Sequence, residues 1–202
     1  MFLSELTVSN QGYRLSEPLR LSHADNYSHV LHQKNWIPFE WNKTLHVSYS
    51  LFPHEVLETN VKSGASHCVH NTQGILNWDY GQPRGSTPPV LVDGEYLAFF
   101  HSSCRMTSAA SHHQIAWHYF MGAYTFSANP PFEITHMSEK PIIGENFYTP
   151  SSRYKRVIFP GGCVVEGAYI HVAYGKDDHE IWIATFDKEA LKQSLKPINH
   201  LP

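Results

Sequence analysis

The chain is short of charge, of paired cysteines, of helical periodicity and of long apolar runs, and each shortage excludes a class of protein. Charged residues make up only 16%, and Lys+Arg 15 against Asp+Glu 18 leaves a formal net charge of -3. A nucleic-acid or polybasic membrane surface needs a basic stripe. The longest candidate is Arg153, Lys155 and Arg156, so no nucleic acid and no membrane surface is expected as a partner. Cys68, Cys104 and Cys163 are odd in number, far apart and free of any CxxC pattern. They read as reduced, structural thiols rather than a disulfide framework or a zinc site. No stretch approaches about 18 consecutive apolar residues, so no membrane-spanning helix is expected. Met1-Phe2-Leu3-Ser4-Glu5 lacks the basic-then-apolar order of a secretory leader, which points to a cytoplasmic protein.

Catalytic signatures are also missing. The 15 histidines include His29-x-x-His32, His67-x-x-His70, and His112-His113 with His118. None has a carboxylate at a spacing as diagnostic as that of the zinc proteases, so dispersed loop histidines and no metal are expected. Gly-x-Ser-x-Gly does not occur, and nothing near Cys104 or Cys163 would make a low-pKa nucleophile.

What the chain has in abundance is aromatic rings, with Tyr 11, Phe 11 and Trp 5. These suit pleated, half-buried strands. They also suit a sugar site, where ring faces pack against pyranose C–H groups. One helix is expected, Lys188 to Leu195, entered from Asp187 as N-cap and stopped before Pro197. Elsewhere short alternating runs are broken by Gly, Pro, Asn and Asp, as in antiparallel strands and turns.

Those runs repeat. Pro38 to Tyr49 turns at Asn42-Lys43, Pro88 to His101 at Asp93-Gly94, and Pro160 to Tyr174 at Glu166-Gly167. Each is a strand, a tight turn and a second strand ending in an aromatic. Tyr119 to Phe126 and Glu180 to Phe186 read as further outer strands. A hairpin recurring with outer strands is what a β-propeller blade looks like in sequence, with a β-sandwich as the alternative. His54 to Pro83, Ser102 to His118 and Ile143 to Tyr154 read as long polar loops, of the kind that often carry function.

Three segments resemble the β-mannoside phosphorylases and hydrolases of glycoside hydrolase family 130. The most specific is Val157-Ile158-Phe159-Pro160-Gly161-Gly162, followed by Ala173-Tyr174-Gly175-Lys176-Asp177-Asp178 and Ile181-Trp182-Ile183-Ala184. The second is Thr87-Pro88-Pro89-Val90 with Gly94-Glu95-Tyr96-Leu97 and Phe100-His101. The third is Lys34-Asn35-Trp36-Ile37-Pro38-Phe39. The resemblance spans roughly residues 34 to 187 and implies a partial five-bladed propeller of about three to four blades, all-β, forming a single domain over 1–202.

The resemblance also implies site residues. Asp178 matches the aspartate that holds sugar hydroxyls, and Lys34 the lysine facing the phosphate or second substrate. His101 matches the histidine that closes an inner hairpin. His54 and Arg84 match more loosely an anion-binding histidine and a phosphate or carboxylate fork. The general acid, which the family carries in an early Glu-Asp-x-Arg stretch, has no counterpart before Lys34. The catalytic residues are therefore unassigned. Two functions stay open: a glycoside phosphorylase or hydrolase acting on β-mannosides or related oligosaccharides, or a catalytically incomplete propeller that binds sugar or serves an interaction role. No cofactor is implied, although inorganic phosphate is a natural co-substrate. The expected partners are an oligosaccharide or sugar phosphate, and a second copy completing the propeller.

Overall fold

A computed structural model describes residues 1–23, 34–149 and 155–199. It begins with an arm of short strands: β1 (Phe2–Leu3), β2 (Leu6–Ser9), β3 (Gly12–Leu15), β4 (Leu19–Arg20) and β5 (Ser22–His23). Three antiparallel meanders follow. The first comprises β6 (Ile37–Trp41), β7 (Thr44–Leu51), β8 (His54–Thr59) and β9 (Ala65–Thr72). The second comprises β10 (Arg84–Gly85), β11 (Val90–Val92), β12 (Glu95–Met106), β13 (Ala116–Ser127) and β14 (Ile134–Met137). The third comprises β15 (Arg156–Glu166), β16 (Tyr169–Lys176) and β17 (Glu180–Asp187). It leads through α1 (Lys188–Ser194) into β18 (Lys196–Pro197), which returns to pair with β14.

Local chemistry explains these elements. Asn42 and Lys43 both take the left-handed conformation between β6 and β7, as do Asp93 and Gly94 between β11 and β12. Both are tight hairpin turns whose twist matches the strands they join. In the third meander Glu166 pairs with Tyr169, so the turn is Gly167-Ala168, one residue later than expected, with Gly167 supplying the positive φ. Asp187 caps α1 by accepting from the Ala190 N–H at 2.8 Å, as expected.

Three expectations are corrected. His54 to Pro83 is largely strand, because β8 and β9 lie within it; the polar His67, His70 and Asn71 belong to a half-exposed outer strand. Likewise only the stretch from 107 to 115 separates β12 from β13. Pro160, read as a strand opener, lies within β15 at a bulge between Pro160 and Gly162, a position that tolerates the missing N–H.

The meanders pack face to face. Between the first and second, Phe39, Leu51 and Val56 meet Phe100, Tyr124, Phe126 and Phe132. Between the second and third, Leu97, Phe99 and Met121 meet Ile158, Ile170, Val172 and Leu191. A two-residue parallel pairing, His118 with Arg156 and Tyr119 with Val157, also links β13 to β15. The result is all-β and propeller-like, with each sheet burying one face against the next. No helix among the described residues is long and apolar enough to cross a membrane.

Candidate functional site

Topology gathers the candidate residues. In an antiparallel meander the second strand runs back along the first, so its end lies beside the first strand's start. Arg84 pairs with His101, and Ile158 pairs with Lys176 just ahead of Asp177 and Asp178. Lys34 stands just before β6. All these residues therefore stand at strand-start ends of successive meanders.

Contacts between sheets bring those ends together. A Cβ on Gly85 would run into Ile37 and lie 3.4 Å from the Asn35 carbonyl, so β10 rests against the residues following Lys34. His101 packs on Phe159 of β15 at 4.3 Å between ring centroids and stacks on Tyr119 of β13 at 6.2 Å. Lys155, two residues before Val157, which pairs with Tyr119, reaches Asp178 at 3.0 Å. Lys34, Arg84, His101, Tyr119, Lys155 and Asp178 thus form a continuous rim.

His101 is the buried centre of this rim, with 4% of its surface exposed. Its Nδ1 shares a 2.6 Å hydrogen bond with Ser86 Oγ. Burial, and then the charges of Arg84 and Lys34, hold its pKa down to about 4. At neutral pH it is an uncharged imidazole flanked by two cations that stand exposed.

Asp177 and Asp178 part company. Both have positive φ, at 53° and 54°. Asp177 is buried, and its Oδ1 accepts from the Val157 N–H at 2.9 Å while its own N–H donates to the Val157 carbonyl. It closes the turn on β15. Asp178 points outward and pairs with the exposed Lys155.

His54 does not join the rim. It lies at the start of the third strand of its meander, buried among aromatics, with Nδ1 against the Phe132 carbonyl at 2.7 Å and Nε2 against Ser48 Oγ at 3.0 Å. Both nitrogens are committed, and burial holds its pKa near 4. The expected anion-facing histidine is instead a polar pin inside the core.

The basic stretch Arg153, Lys155 and Arg156 is not a stripe. Arg153 lies outside the described residues, Lys155 pairs with Asp178, and the buried Arg156 donates from Nε to the Ala110 carbonyl. Of the histidine pairs, His29 and His32 lie outside the described residues. His118 bonds Ser108 Oγ and the Ala116 carbonyl, and His70 packs on Phe132. Sequence reasoning missed Ser86, Tyr119 and Lys155 as site residues. Tyr119 is placed by a parallel pairing and Ser86 and Lys155 by side-chain contacts across the sheet, none of which a local pattern announces.

No family model matches the chain, and neither does any curated protein. Solved structures do. A β-1,2-mannobiose phosphorylase from Listeria innocua, complexed with β-1,2-mannobiose, matches with TM-score 0.57 at 16% identity, over 80% of this chain and 46% of that one. A glycosyl hydrolase from Bacteroides ovatus matches with TM-score 0.58 at 12% identity, over 94% of this chain and 57% of that one. A third is described with the family 130 mannoside phosphorylases and their hydrolases that target β-1,2-mannosidic linkages in Candida mannan. It matches with TM-score 0.52 at 13% identity, over 95% of this chain and 57% of that one. At these identities the likeness establishes the fold. The chain spans about half the length of these structures.

Proposed function

We propose that the rim binds an oligosaccharide or a sugar phosphate, and that the chain is a carbohydrate-active protein of the glycoside hydrolase family 130 kind, acting on β-mannosides or related oligosaccharides. The observation that carries this is the neutral His101 held between Lys34 and Arg84. A phosphate dianion finds there a point charge from Lys34 and a planar fork from Arg84. With the Ser86 hydroxyl donating to Nδ1, His101 keeps Nε2–H as a third donor. Tyr119 and Phe159 supply aromatic surface beside it. Asp178, which pairs with Lys155, would accept from sugar hydroxyls in this reading.

In this reading the phosphate brings the nucleophile, and the chain must still protonate the leaving oxygen. The rim described above has one carboxylate, Asp178, and it is engaged with Lys155. That observation favours a second reading, in which the site binds sugar without turning it over, or turns it over only when a further chain supplies the acid. The fold-level likeness supports either reading alike.

The test is phosphate release and uptake with mannose 1-phosphate and β-mannoside acceptors, comparing the parent protein with Asp178→Asn. Turnover abolished by the substitution supports the enzymatic reading. Saturable binding without turnover supports the second. Neither turnover nor binding would overturn both.

A further inference from the structure

The hairpin of β12 and β13 outruns its neighbours. Its strands pair continuously from Glu95 with Ser127 to Met106 with Ala116. On one side β10 pairs with β12 only as far as His101, and the chain before it approaches as far as Ser103, whose carbonyl a Cβ on Gly81 would strike. On the other side β15 meets β13 at His118 and Tyr119 alone. The hairpin therefore projects past the rim as an arm. Its tip is tied down: Ser108 Oγ shares a 2.7 Å hydrogen bond with His118 Nε2 and accepts from the Ser111 N–H, and the buried Arg156 donates to the Ala110 carbonyl.

Strand alternation decides what the arm presents. Tyr119 stacks on His101, so both lie on the rim's face of the sheet, and residues two apart keep to one face. Trp117 and its cross-strand partner Arg105 are therefore the next position outward on that face, about 7 Å along the strand from Tyr119. Lys155 flanks them from the third meander. It precedes Arg156, which pairs with His118, so it comes level with Trp117. Asp178, and less strongly Tyr119, raise its pKa, which places its ammonium on the same face. Arg105, Trp117, Lys155 and Asp178 thus run side by side, one step outside Ser103, Tyr119 and Val157. Beyond them, towards the arm's tip, stands the exposed Ile115.

The other tryptophans are engaged within the chain. Trp36 and Trp78 are buried in the cores, and Trp41 packs on His46 and Phe132. Trp182 donates from Nε1 to Glu180 at 2.6 Å and has Lys176 Nζ over its ring. Trp117 is 46% exposed, and among the described residues no hydrogen bond and no aromatic ring engages it. The exposed Arg105 guanidinium likewise meets no acceptor among them. An indole has an apolar face and a polar edge, and water serves the face poorly. A pyranose offers the complement: C–H groups for the ring face, and hydroxyls for the charged groups on either side.

We infer that Trp117 is the platform of a second sugar subsite, walled by Arg105 on one side and by Lys155 with Asp178 on the other. With one unit at His101 and the next on Trp117, the ligand is a saccharide of two or more units. The inference rests on the reading of the rim as a sugar site and extends it outward along the arm. Hydroxyls of the outer unit accept from Arg105 and Lys155 and donate to Asp178, so the exposed Lys155–Asp178 pair opens to share its groups with the ligand. Such a pair is worth little in water and is cheaply parted. Because the tip of the arm is tied down, the platform stands in place before the ligand arrives, which spares the cost of ordering it.

Calorimetric titration of the full chain with β-1,2-mannobiose and with mannose 1-phosphate tests it, comparing the parent with Trp117→Ala and Trp117→Phe. Trp117→Ala should weaken mannobiose roughly tenfold and mannose 1-phosphate by less than about twofold, and Trp117→Phe should keep most of the affinity for both. Circular dichroism should show both variants folded, because the position is exposed. Iodide quenching of tryptophan fluorescence gives a reading on the parent itself: mannobiose should protect an accessible tryptophan, and mannose 1-phosphate should not. Mannobiose bound as tightly by Trp117→Ala as by the parent overturns the inference. Equal weakening of both ligands overturns it too, since that would mean a disturbed rim and no separate subsite. Mannose 1-phosphate bound without any binding of mannobiose, or without its quenching protection, overturns this inference and leaves the rim reading standing. Binding of neither ligand overturns both.

Discussion

His101 shows how a residue acquires a role from its surroundings. Its imidazole is buried, bonded to Ser86 and overlooked by Arg84 and Lys34, and all of these except the hydrogen bond disfavour the proton. In a proton NMR titration its ring signals should shift with a midpoint near 4. Arg84→Gln should move that midpoint upward, because one of the opposing charges is gone. The same substitution should leave the His54 midpoint unchanged, since His54 owes its low value to burial. A His101 midpoint indifferent to Arg84 would remove the electrostatic link between them. Neighbouring aspartates offer a second contrast. Asp178→Ala should cost less than about 1 kcal/mol, because an exposed ion pair contributes little. Asp177→Ala should cost about 1–3 kcal/mol in urea unfolding, because it leaves the buried Val157 N–H without its carboxylate. Equal costs would mean the two side chains have similar surroundings. Lys34, Arg84, His101 and Asp178 entered through the family resemblance, and the strand signals beside them said only that they stand near strand ends. That His54 belongs to the core was not legible, because its partner Phe132 is far along the chain and arrives only when two sheets pack.

Among the elements, those governed by neighbouring residues were the most legible. The turns Asn42-Lys43 and Asp93-Gly94, the cap at Asp187 and the helix it starts all follow from local chemistry. Asp187→Ala should lower unfolding stability by about 1 kcal/mol, read from the urea midpoint, because the Ala190 N–H loses its acceptor. No change would mean that α1 is held by Leu191 and its packing alone. The outer strands β8 and β9 were hidden. Their polar and histidine-rich sequences look like loop because only one face of each is needed for packing, and the hydrogen-bond partners that make them strands lie across the turn. Ser86 and Tyr119 were obscure for a related reason. One flanks a two-residue strand, and the other is placed by a parallel pairing that no hairpin signal predicts.

At the scale of the whole molecule, burying two histidines with depressed pKa values makes stability depend on pH. Above the unfolded value of 6.5 both states leave these rings neutral and the full stability is present. As pH falls below 6.5 the unfolded chain takes up protons that the folded chain refuses. Stability is therefore lost between 6.5 and about 4, by at most about 3 kcal/mol per ring, and the loss levels off below the folded values. Urea unfolding across that window should show the decline, and His54→Gln should shrink it. A flat profile would mean these rings titrate alike in both states.

The repeated meanders were legible at this scale because each carries its own turn signal. How their ends converge was not, because Gly85 against Asn35 and His101 against Phe159 are contacts between sheets. The proposed site exists only because of that convergence. Isothermal titration calorimetry with mannose 1-phosphate, comparing the parent protein with Arg84→Gln, tests it most directly. Saturable binding that weakens with added salt and falls roughly tenfold or more in the variant is expected. Absence of saturable binding, or binding of equal strength in the two proteins, would contradict it.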